Sequence, residues 1–256
     1  MIDTVLPPAD HTTVQVIHVG TERQPVVIVD GVTGAVASLI EQAARTRFQP
    51  AGEVGSHYPG LLGPAPTTYL DAMVRLVLPL IEAHFDTGPV APMRARGNFS
   101  LVTTPPAELT VEQRIPHVDT ADALQFATVH FLCDGGSGGT GFFRHRATGY
   151  ETIDASRLAA YRAALDPELV RTPPEAAYAV AAGDDLFEGI GMIAARPDRL
   201  ILYRAGLLHS GLIGTPPVAA ADPRRGRLTG NLFLQCRAVT DRAVTDRAVT
   251  GRAVTA

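Results

Sequence analysis

The alternation of hydrophobic and polar positions divides the chain into a first third with two helices and a longer part rich in strands. Two short β-branched runs, residues 14–19 and 26–29, flank the polar segment 20–24 and predict an opening hairpin. Apolar residues then recur every three or four positions, which predicts helices over residues 33–48 and 67–85. Two such helices ahead of the strands suit packing against the outer face of a sheet.

Local signals predict where these helices begin and end. Thr33 and Thr67 are placed to act as N-caps, and Pro79 is expected to kink the second helix or to end its regular part. Between the helices, residues 49–66 are rich in Gly and Pro and contain the tetrapeptide HYPG at 57–60. We expect a loop here; a loop of this length is often functional, and a plain surface excursion is the equal alternative.

From Arg96 onwards the pattern is that of strands separated by turns. A helix is expected to begin at Asp154 or Ser156 and to end near Pro167, inside a long insertion over residues 147–196. This helix is a candidate lid or substrate wall, with a simple surface helix as the alternative. Core strands are predicted at residues 98–102, 124–132, from 142 onwards, 200–203 and 227–235.

These elements predict a single α+β domain over residues 1–236. Its N-terminal hairpin and helices, residues 1–95, are expected to pack on one sheet of a β-rich core formed by residues 96–236. Residues 237–256 repeat the pentad RAVTD with small changes, and repeats this short are not expected to form a solenoid. We interpret them as a low-complexity tail, disordered or loosely helical. The alternative is an oligomerisation segment, which leaves a homodimer open.

Composition supports a folded domain and removes several classes of function. Hydrophobic residues make up 46% of the chain and charged residues 19%, which is enough for a sizeable core. The formal net charge of −4 argues against general binding to nucleic acid or to anionic membranes. All 22 basic residues are arginines, which excludes a Schiff-base or P-loop lysine. The sequence shows neither a secretory signal nor an apolar run of membrane-spanning length, so we expect a cytoplasmic protein.

The sequence RIPHVDTADALQF, residues 114–126, carries the most informative pair of side chains. His117 and Asp119 are two positions apart, so on an extended segment they point to the same side. An imidazole and a carboxylate so placed can bind one divalent metal ion, and two histidines with one carboxylate form the facial triad of iron(II) oxygenases. His130 and His145 are competing ligands, although each is more typical of a hydrogen-bonded structural histidine.

A glycine-rich segment offers a different chemistry. Residues 136–141 match the pattern G-x-G-x-x-G and follow an apolar stretch, as in dinucleotide-binding proteins. That fingerprint needs a helix to open directly afterwards, so that the helix N-terminus faces the pyrophosphate. The sequence that follows, FFRHRATGY, is typical of a strand and a turn instead. Nucleotide binding is therefore the less supported alternative.

Taken in chain order, these motifs resemble the iron(II)/2-oxoglutarate-dependent dioxygenase superfamily, in its prolyl-hydroxylase-like branch. Members show His-x-Asp before a strand, a Gly-rich turn ending in Phe, a distal His after a turn and a strand, and an Arg that opens the last strand. The matching parts here are His117 and Asp119, residues 138–142, His209 in PDRLILYRAGLLHSG and Arg227 in RLTGNLF. The N-terminal third is similar only to an uncharacterised bacterial subgroup of that superfamily.

The resemblance, which extends from about residue 98 to 235, implies a distorted jelly-roll (double-stranded β-helix) core with the N-terminal helices on one sheet. It also implies an oxygenase that hydroxylates, or otherwise oxidises, a C–H bond by using O2 and 2-oxoglutarate. In that reading His117, Asp119 and His209 are the iron(II) ligands and the catalytic centre.

The same resemblance implies that Arg227, assisted by Thr229, binds the far carboxylate of 2-oxoglutarate. A guanidinium suits this role because it donates two parallel hydrogen bonds to a carboxylate. The spacing from His209 to Arg227 is longer than the family usually has. Arg224 and Arg225, in the loop before the last strand, are therefore competitors for the role.

The substrate is predicted only by class, as a small amino-acid-like molecule or a peptide. Tyr58 in the HYPG tetrapeptide, Arg144 and His145 are candidate substrate contacts, although a charged turn in solvent explains the last two equally well. A cupin-like barrel that binds a metal or ligand without turnover is the non-enzymatic alternative.

Overall fold

Two antiparallel sheets form the framework of the computed structural model, which describes residues 12–214 and 220–239. The large sheet contains, in spatial order, β1 (Thr13–Val19), β2 (Gln24–Asp30), β9 (Arg199–Arg204), β6 (Gln125–Phe131), β11 (Leu228–Ala238), β5 (Val90–Val102), β4 (Gly60–Pro64) and β3 (Gln49–Pro50). The small sheet contains β10 (His209–Leu212), β7 (Gly139–His145) and β8 (Phe187–Ala194). The α-helices are α1 (Val36–Ala44), α2 (Thr67–His84), α3 (Val111–Arg114) and α4 (Leu158–Arg171). No helix in the described ranges is both long and apolar enough to cross a membrane.

The outer face of the large sheet is covered by α1 and α2. The buried residues of α2, among them Met73 and Val77, form one apolar cluster with Phe99 of β5 and with Leu232 and Leu234 of β11. The predicted hairpin of β1 and β2 is confirmed, and the last predicted strand is present as β11, whose middle alternates between buried and half-buried residues. Because successive side chains of a strand point to opposite faces, β11 directs its leucines towards α2 and its polar residues towards the other face.

Several predicted boundaries are wrong. The first residues before α1 and α2 are Ala35 and Pro66, and neither helix has a side-chain cap. Thr33 does not cap α1 because it lies two residues before the N-cap position, Ala35; its hydroxyl accepts from the N–H of Ala35 and donates to Asp198. Thr67 lies inside the first turn of α2. α2 continues past Pro79 to His84.

Two segments predicted as connections are more ordered than expected. Residues 49–66 include β3, a short 3-10 helix and β4, which pairs with β5 along the edge of the large sheet. The predicted insertion 147–196 contains β8, a full partner of β7. Within it, α4 does not end near Pro167 but extends to Arg171, and Oε2 of Glu168 in its last turn lies 2.8 Å from Nε2 of His145 in the small sheet.

The predicted C-terminal tail begins later than expected. Arg237 and Ala238 belong to β11, where they pair with the start of β5. β5 begins at Val90, which is earlier than Arg96, the residue from which the sequence predicts strands. The pentads from residue 240 onwards lie outside the described residues.

A buried polar network ties α2, the large sheet and the start of α1 together. The Tyr69 hydroxyl lies 3.0 Å from Nδ1 of His130, and Nε2 of His130 lies 3.0 Å from Oδ1 of Asp198. Asp198 also accepts hydrogen bonds from the backbone N–H groups of Thr33 and Gly34. Burial alone would raise the pKa of Asp198, but these hydrogen bonds outweigh it and hold the pKa below its ordinary value of 3.8.

This network also explains a glycine in the middle of β11. A Cβ atom on Gly230 would lie 2.2 Å from the Tyr69 hydroxyl, too close for any other residue at that position. A glycine inside a central strand commonly marks such a close approach. His130 is thus a structural histidine of the face that packs against α2.

We predict that Asp198→Asn lowers the free energy of unfolding by roughly 1–3 kcal/mol at pH 7, because buried donors lose a charged acceptor. The folded pKa of Asp198 is below the unfolded one, so its contribution is present above about pH 3.8 and is lost as the pH falls through the folded pKa. Urea denaturation at pH 7, 5 and 3.5 should therefore show the difference between the two proteins shrinking at the lowest pH. Asp166→Asn is the control, because the Asp166 side chain is 65% exposed. An equal difference at all three pH values would contradict the assignment.

Candidate functional site

A short antiparallel bridge brings the His-x-Asp segment against β10. The N–H of His117 donates to the carbonyl of His209 over 2.9 Å, and the N–H of His209 donates back to the carbonyl of His117 over 2.9 Å. The N–H of Asp119 donates to the carbonyl of Ala205, also over 2.9 Å. The backbone between α3 and β6 is thereby held extended at both residues. His117 and Asp119 consequently point to the same side, as the spacing of the motif predicts.

The side chains of His117, Asp119 and His209 converge within this bridge. One potential ligand atom from each lies within 4.8 Å of the others. Nε2 of His209 is 3.7 Å from Oδ2 of Asp119, and the ring centroids of His117 and His209 are 4.5 Å apart. Two imidazoles and one carboxylate at these separations can bind one metal ion on one face and leave its other face open.

The tautomer of His209 is set by the backbone. Nδ1 of His209 lies 2.8 Å from the carbonyl oxygen of Leu207, which can only accept a hydrogen bond. Nδ1 must therefore carry the proton, and in the neutral ring Nε2 presents its lone pair to Asp119 and His117. A histidine whose second nitrogen is held by a carbonyl is the usual form of a metal ligand.

Desolvation by the surrounding residues shifts the pKa values of all three groups towards their neutral forms, although His117 and Asp119 are exposed as residues and only His209 is buried. Although Asp119 is exposed as a residue, its side chain is only 17% exposed, because the cavity wall surrounds the carboxylate. Desolvation raises the pKa of Asp119 to about 6, and the nearby His117 opposes that shift. Desolvation lowers the pKa of His209 to about 4, and desolvation together with the neighbouring His209 lowers the pKa of His117 to about 4. Both rings are neutral at pH 7, the form in which histidine binds metals.

The three residues open into a cavity of about 430 Å³ between the two sheets. Its floor is the inner face of the large sheet, and its walls include residues from α3, α4 and the small sheet. Side chains of α4 that reach it include Tyr161 and Leu165, which makes this helix a wall of the cavity, and its role towards a substrate stays a prediction. This volume lies in the range of ordinary small-molecule sites.

A second polar cluster lies on the floor of the same cavity, formed by Arg227, Thr229 and Tyr58. Arg227 is 7% exposed, its Nη2 donates to the carbonyl of Gly139 over 2.9 Å, and its guanidinium lies 5.6 Å from the centre of the Phe131 ring. The hydroxyls of Tyr58 and Thr229 are buried, and neither makes a hydrogen bond of ordinary length among the described residues, although Thr229 and Arg227 lie close enough to the Tyr58 hydroxyl to lower its pKa. Burial raises the pKa of Tyr58 to about 12, and the positive charge of Arg227 opposes that shift.

The competing arginines lie elsewhere. Arg224 is exposed and forms an ion pair with Glu41 of α1, with its Nη2 2.7 Å from Oε2. Arg225 is exposed and does not line the cavity. The structure therefore brings Arg227, and neither neighbour, into the cavity with the His-x-Asp motif.

Two predicted substrate contacts lie outside this cavity. Arg144 lies away from the cavity, where it donates to Glu151 and to Glu188. His145 is fully buried behind the cavity wall, with Nε2 2.8 Å from Glu168 and its ring against Tyr161. The two residues are adjacent in β7 and so point to opposite faces of the small sheet, Arg144 towards Glu151 and Glu188 and His145 towards α4. The sequence alone does not show these contacts.

The other predicted alternatives are also placed away from this chemistry. His130 belongs to the network with Tyr69 and Asp198. After the glycine-rich segment the chain continues directly as β7, so no helix N-terminus faces a bound pyrophosphate there. The dinucleotide fingerprint therefore lacks the element that it requires.

The sequence predictions missed several residues of the cavity. Tyr203 of β9 packs its ring 4.8 Å from the ring of His209. Asn98, Ser100 and Asn231 form a hydrogen-bonded row on the floor. A signal existed for Asn231, because it has the same parity in β11 as Arg227, but the partners from β5 depend on strand pairing that the sequence does not state.

We predict that Arg144→Ala lowers the free energy of unfolding by roughly 1–3 kcal/mol, because the fully buried Glu151 carboxylate loses its guanidinium partner. Affinity for cobalt(II), a spectroscopic probe of the three-residue site, should stay unchanged. Arg146→Ala is the matched control, since Arg146 is an exposed neighbour and should change stability by less than roughly 0.5 kcal/mol. A loss of cobalt(II) affinity at unchanged stability would show instead that Arg144 acts in the site.

The chain has detectable likeness to one protein family and to several solved structures. Residues 10–234 match the model of a family described as "Family of unknown function (DUF6445)". No curated protein matches the sequence. The structures include HygX from Streptomyces hygroscopicus with nickel, 2-oxoglutarate and hygromycin B bound (11% identity, 84% of each chain, TM-score 0.48).

Two further structures are similar over most of the chain. The non-heme alpha ketoglutarate dependent epimerase SnoN from nogalamycin biosynthesis has 15% identity over 84% of this chain and 77% of its own, with a TM-score of 0.43. An N-substituted L-amino acid dioxygenase from Burkholderia ambifaria AMMD has 13% identity over 88% of this chain and 95% of its own, with a TM-score of 0.40. At TM-scores below 0.5 these likenesses carry no argument about activity. The family model spans most of the chain, and the protein therefore belongs to the DUF6445 family.

Proposed function

We propose that the protein is a non-haem iron(II)- and 2-oxoglutarate-dependent oxygenase that oxidises a C–H bond of a small amino-acid-like or peptide substrate. One observation carries the proposal: a two-histidine, one-carboxylate cluster and a buried arginine with two unpartnered hydroxyls line the same cavity. The first set suits a divalent metal and the second suits a carboxylate. We further propose that the two antiparallel sheets are a distorted double-stranded β-helix, in the manner of the prolyl-hydroxylase-like branch.

The donor set fits iron(II) on chemical grounds. Imidazole nitrogen and carboxylate oxygen are ligands of intermediate hardness, which suit iron, and a facial triad keeps positions open for other ligands. The bridge between His117 and His209 fixes the two ligand segments before any metal binds. The carbonyl of Leu207 orients the ring of His209. In this proposal His117, Asp119 and His209 are the metal ligands.

The Arg227 cluster fits the distal carboxylate of 2-oxoglutarate. A guanidinium next to hydroxyl donors offers a carboxylate several charge-assisted hydrogen bonds. The buried hydroxyls of Tyr58 and Thr229 need an acceptor or donor that the described residues do not provide, and a carboxylate would supply it. Tyr58 is thus proposed as a cosubstrate contact, which revises its predicted role as a substrate contact.

Bound iron(II) and 2-oxoglutarate would supply oxidative chemistry, in which O2 gives one oxygen atom to succinate and one to the product while carbon dioxide is released. The residues of the chain do the rest. Arg227 and Thr229 orient the cosubstrate, and the ring of Tyr203 packs beside His209 and limits its movement. The apolar part of the wall, which includes Leu165 of α4, would limit the access of water to the reacting centre.

An anaerobic titration tests the proposal directly. Purified protein receives iron(II) and then 2-oxoglutarate, and the visible spectrum is followed for the weak charge-transfer band of the chelated cosubstrate. The proposal expects this band together with slow, oxygen-dependent formation of succinate. Metal binding without a band and without succinate would favour the cupin-like binding protein. A failure to bind any metal would contradict both the oxygenase proposal and the cupin-like alternative.

We predict that Asp119→Ala reduces iron(II) affinity by roughly 100-fold or more, because even residues that only support metal ligands change affinity 10–100-fold. Equilibrium dialysis under anaerobic conditions measures the affinity, and succinate formation should disappear with it. Asp166→Ala is the control for removing a surface carboxylate. If Asp119→Ala binds iron(II) as the unaltered protein does, Asp119 is not a ligand.

We predict that Arg227→Ala raises the 2-oxoglutarate concentration needed for half-maximal succinate formation by about thirtyfold or more, with iron(II) still bound. Losing one charge-assisted contact to an otherwise unpaired carboxylate costs roughly 2–5 kcal/mol. Arg225→Ala is the matched control, since Arg225 is exposed and outside the cavity. The reverse order of the two variants would refute the assignment of the cosubstrate site.

A further inference from the structure

A row of three polar side chains crosses the cavity floor, which we call the amide ladder: Asn231 of β11 with Ser100 and Asn98 of β5. Nδ2 of Asn231 donates to Oγ of Ser100 over 2.9 Å, and Oγ of Ser100 donates to Oδ1 of Asn98 over 2.7 Å. Asn231 and Asn98 are direct partners in the pairing of β11 with β5. Both asparagines line the cavity, and Ser100 is fully buried between them.

The ladder fixes which atoms of the two amides remain for a ligand. A hydroxyl has one proton to donate, and Ser100 gives its proton to Asn98 and accepts from Asn231. Oδ1 of Asn231 is therefore left as an acceptor, buried and without a partner among the described residues. Nδ2 of Asn98 is left as a donor, and it makes no hydrogen bond to residues 12–214 or 220–239. A buried acceptor of this kind calls for an explanation, because most such groups are paired.

The ladder extends from the proposed cosubstrate cluster along the cavity floor. Ser100 pairs directly with Thr229, and Asn231 follows Thr229 by two positions on the same face of β11, roughly 7 Å further along the strand at about 3.3 Å per residue. Oδ1 of Asn231 can only accept a hydrogen bond, and the oxygens of a bound carboxylate can only accept as well. The cosubstrate therefore leaves this atom unsatisfied, and it is available to a second molecule in the same cavity.

We infer that the amide ladder recognises the substrate, and that the substrate carries a carboxamide edge, a neutral N–H donor beside a C=O acceptor. The N–H bonds to Oδ1 of Asn231 and the C=O accepts from Nδ2 of Asn98. Among the described residues, no charged side chain hydrogen-bonds to the ladder, so it matches a neutral group rather than a carboxylate or an ammonium. This inference rests on the proposed function only in calling the recognised molecule a substrate, because the ladder itself contacts neither the metal nor the cosubstrate.

The selectivity of the ladder follows from the unpaired acceptor. A ligand that lacks the N–H leaves Oδ1 of Asn231 buried and unsatisfied, while a ligand that has it removes that penalty. Sites built around a hydrogen bond reject analogues that lack the group far more strongly than apolar pockets reject a missing methylene. Ser100 is a positioning residue here, because it holds both amides without contacting the ligand.

Three probes of nearly the same shape test this inference: 3-methylbutanamide, 4-methyl-2-pentanone and 3-methylbutanoate. The ketone keeps the acceptor and lacks the donor, and the acid replaces the donor by a charge. Their dissociation constants are measured by saturation-transfer NMR on full-length protein loaded with zinc(II) and 2-oxoglutarate. The amide should bind roughly tenfold or more tightly than the ketone and the acid. Equal binding of amide and ketone, tighter binding of the acid, or no binding of the amide would overturn the inference.

Substitutions of the ladder residues test whether the preference for the amide over the ketone depends on the ladder. Asn231→Leu should bind amide and ketone equally, because the acceptor is gone. Ser100→Ala should weaken the preference while keeping part of it, since both amides can then rotate. Gln235→Leu is the control on the same strand, outside the cavity, and should keep the full preference. An unchanged preference in both Asn231→Leu and Ser100→Ala would overturn the inference.

The two proposals fail in different ways. If zinc(II) or 2-oxoglutarate does not bind, the proposed oxygenase function fails, and the amide and the ketone are then compared on the protein alone. If both bind and the amide preference is absent, the oxygenase proposal stands and the ladder has no role in recognition.

Discussion

The site depends on one pair of backbone hydrogen bonds, those that join His117 to His209. The His-x-Asp segment lies outside the regular strands, between α3 and β6, and has no secondary structure to orient it. Pairing with β10 makes it extended, and extension is what turns a spacing of two residues into a shared direction. Without the bridge, His117 and Asp119 would be two polar residues of a loop, and His209 would face them from an unrelated part of the chain.

The rest of the fold positions the two sheets that this bridge connects. β11 separates an apolar outer face, covered by α2, from a polar inner face that carries Arg227, Thr229 and Asn231. Two buried carboxylates stabilise the edges of this arrangement. Asp198 links the large sheet to the start of α1, and Glu151 links the hairpin of β1 and β2 to Arg144 in the small sheet. Their hydrogen bonds offset the cost of burying charge.

The sequence predicted the residues whose signal is local. The family resemblance points to Arg227 and Thr229, which lie on one face of β11, and the spacing of His117 and Asp119 predicts their common side. It did not predict β8, whose glycines and single apolar positions lack a clear period, or the end of α4, which continues past Pro167 and places Glu168 beside His145. From the sequence alone, Arg144 is a candidate substrate contact, because its partner Glu151 is seven residues away. The two side chains become neighbours only through the turn after β7.

The position of β10 gives the bridge a second meaning. β10 is an outer strand of a three-stranded sheet, and among the described residues its free side pairs with the short segment at His117. Proteins open most easily where few backbone hydrogen bonds and contacts hold a segment. A ligand bound by both His117 and His209 therefore links β10 to the segment beside it, and its binding free energy adds to the stability of that edge. Binding of a ligand at His117 and His209 and ordering of the edge of the small sheet are thus linked, so that a change in one changes the other.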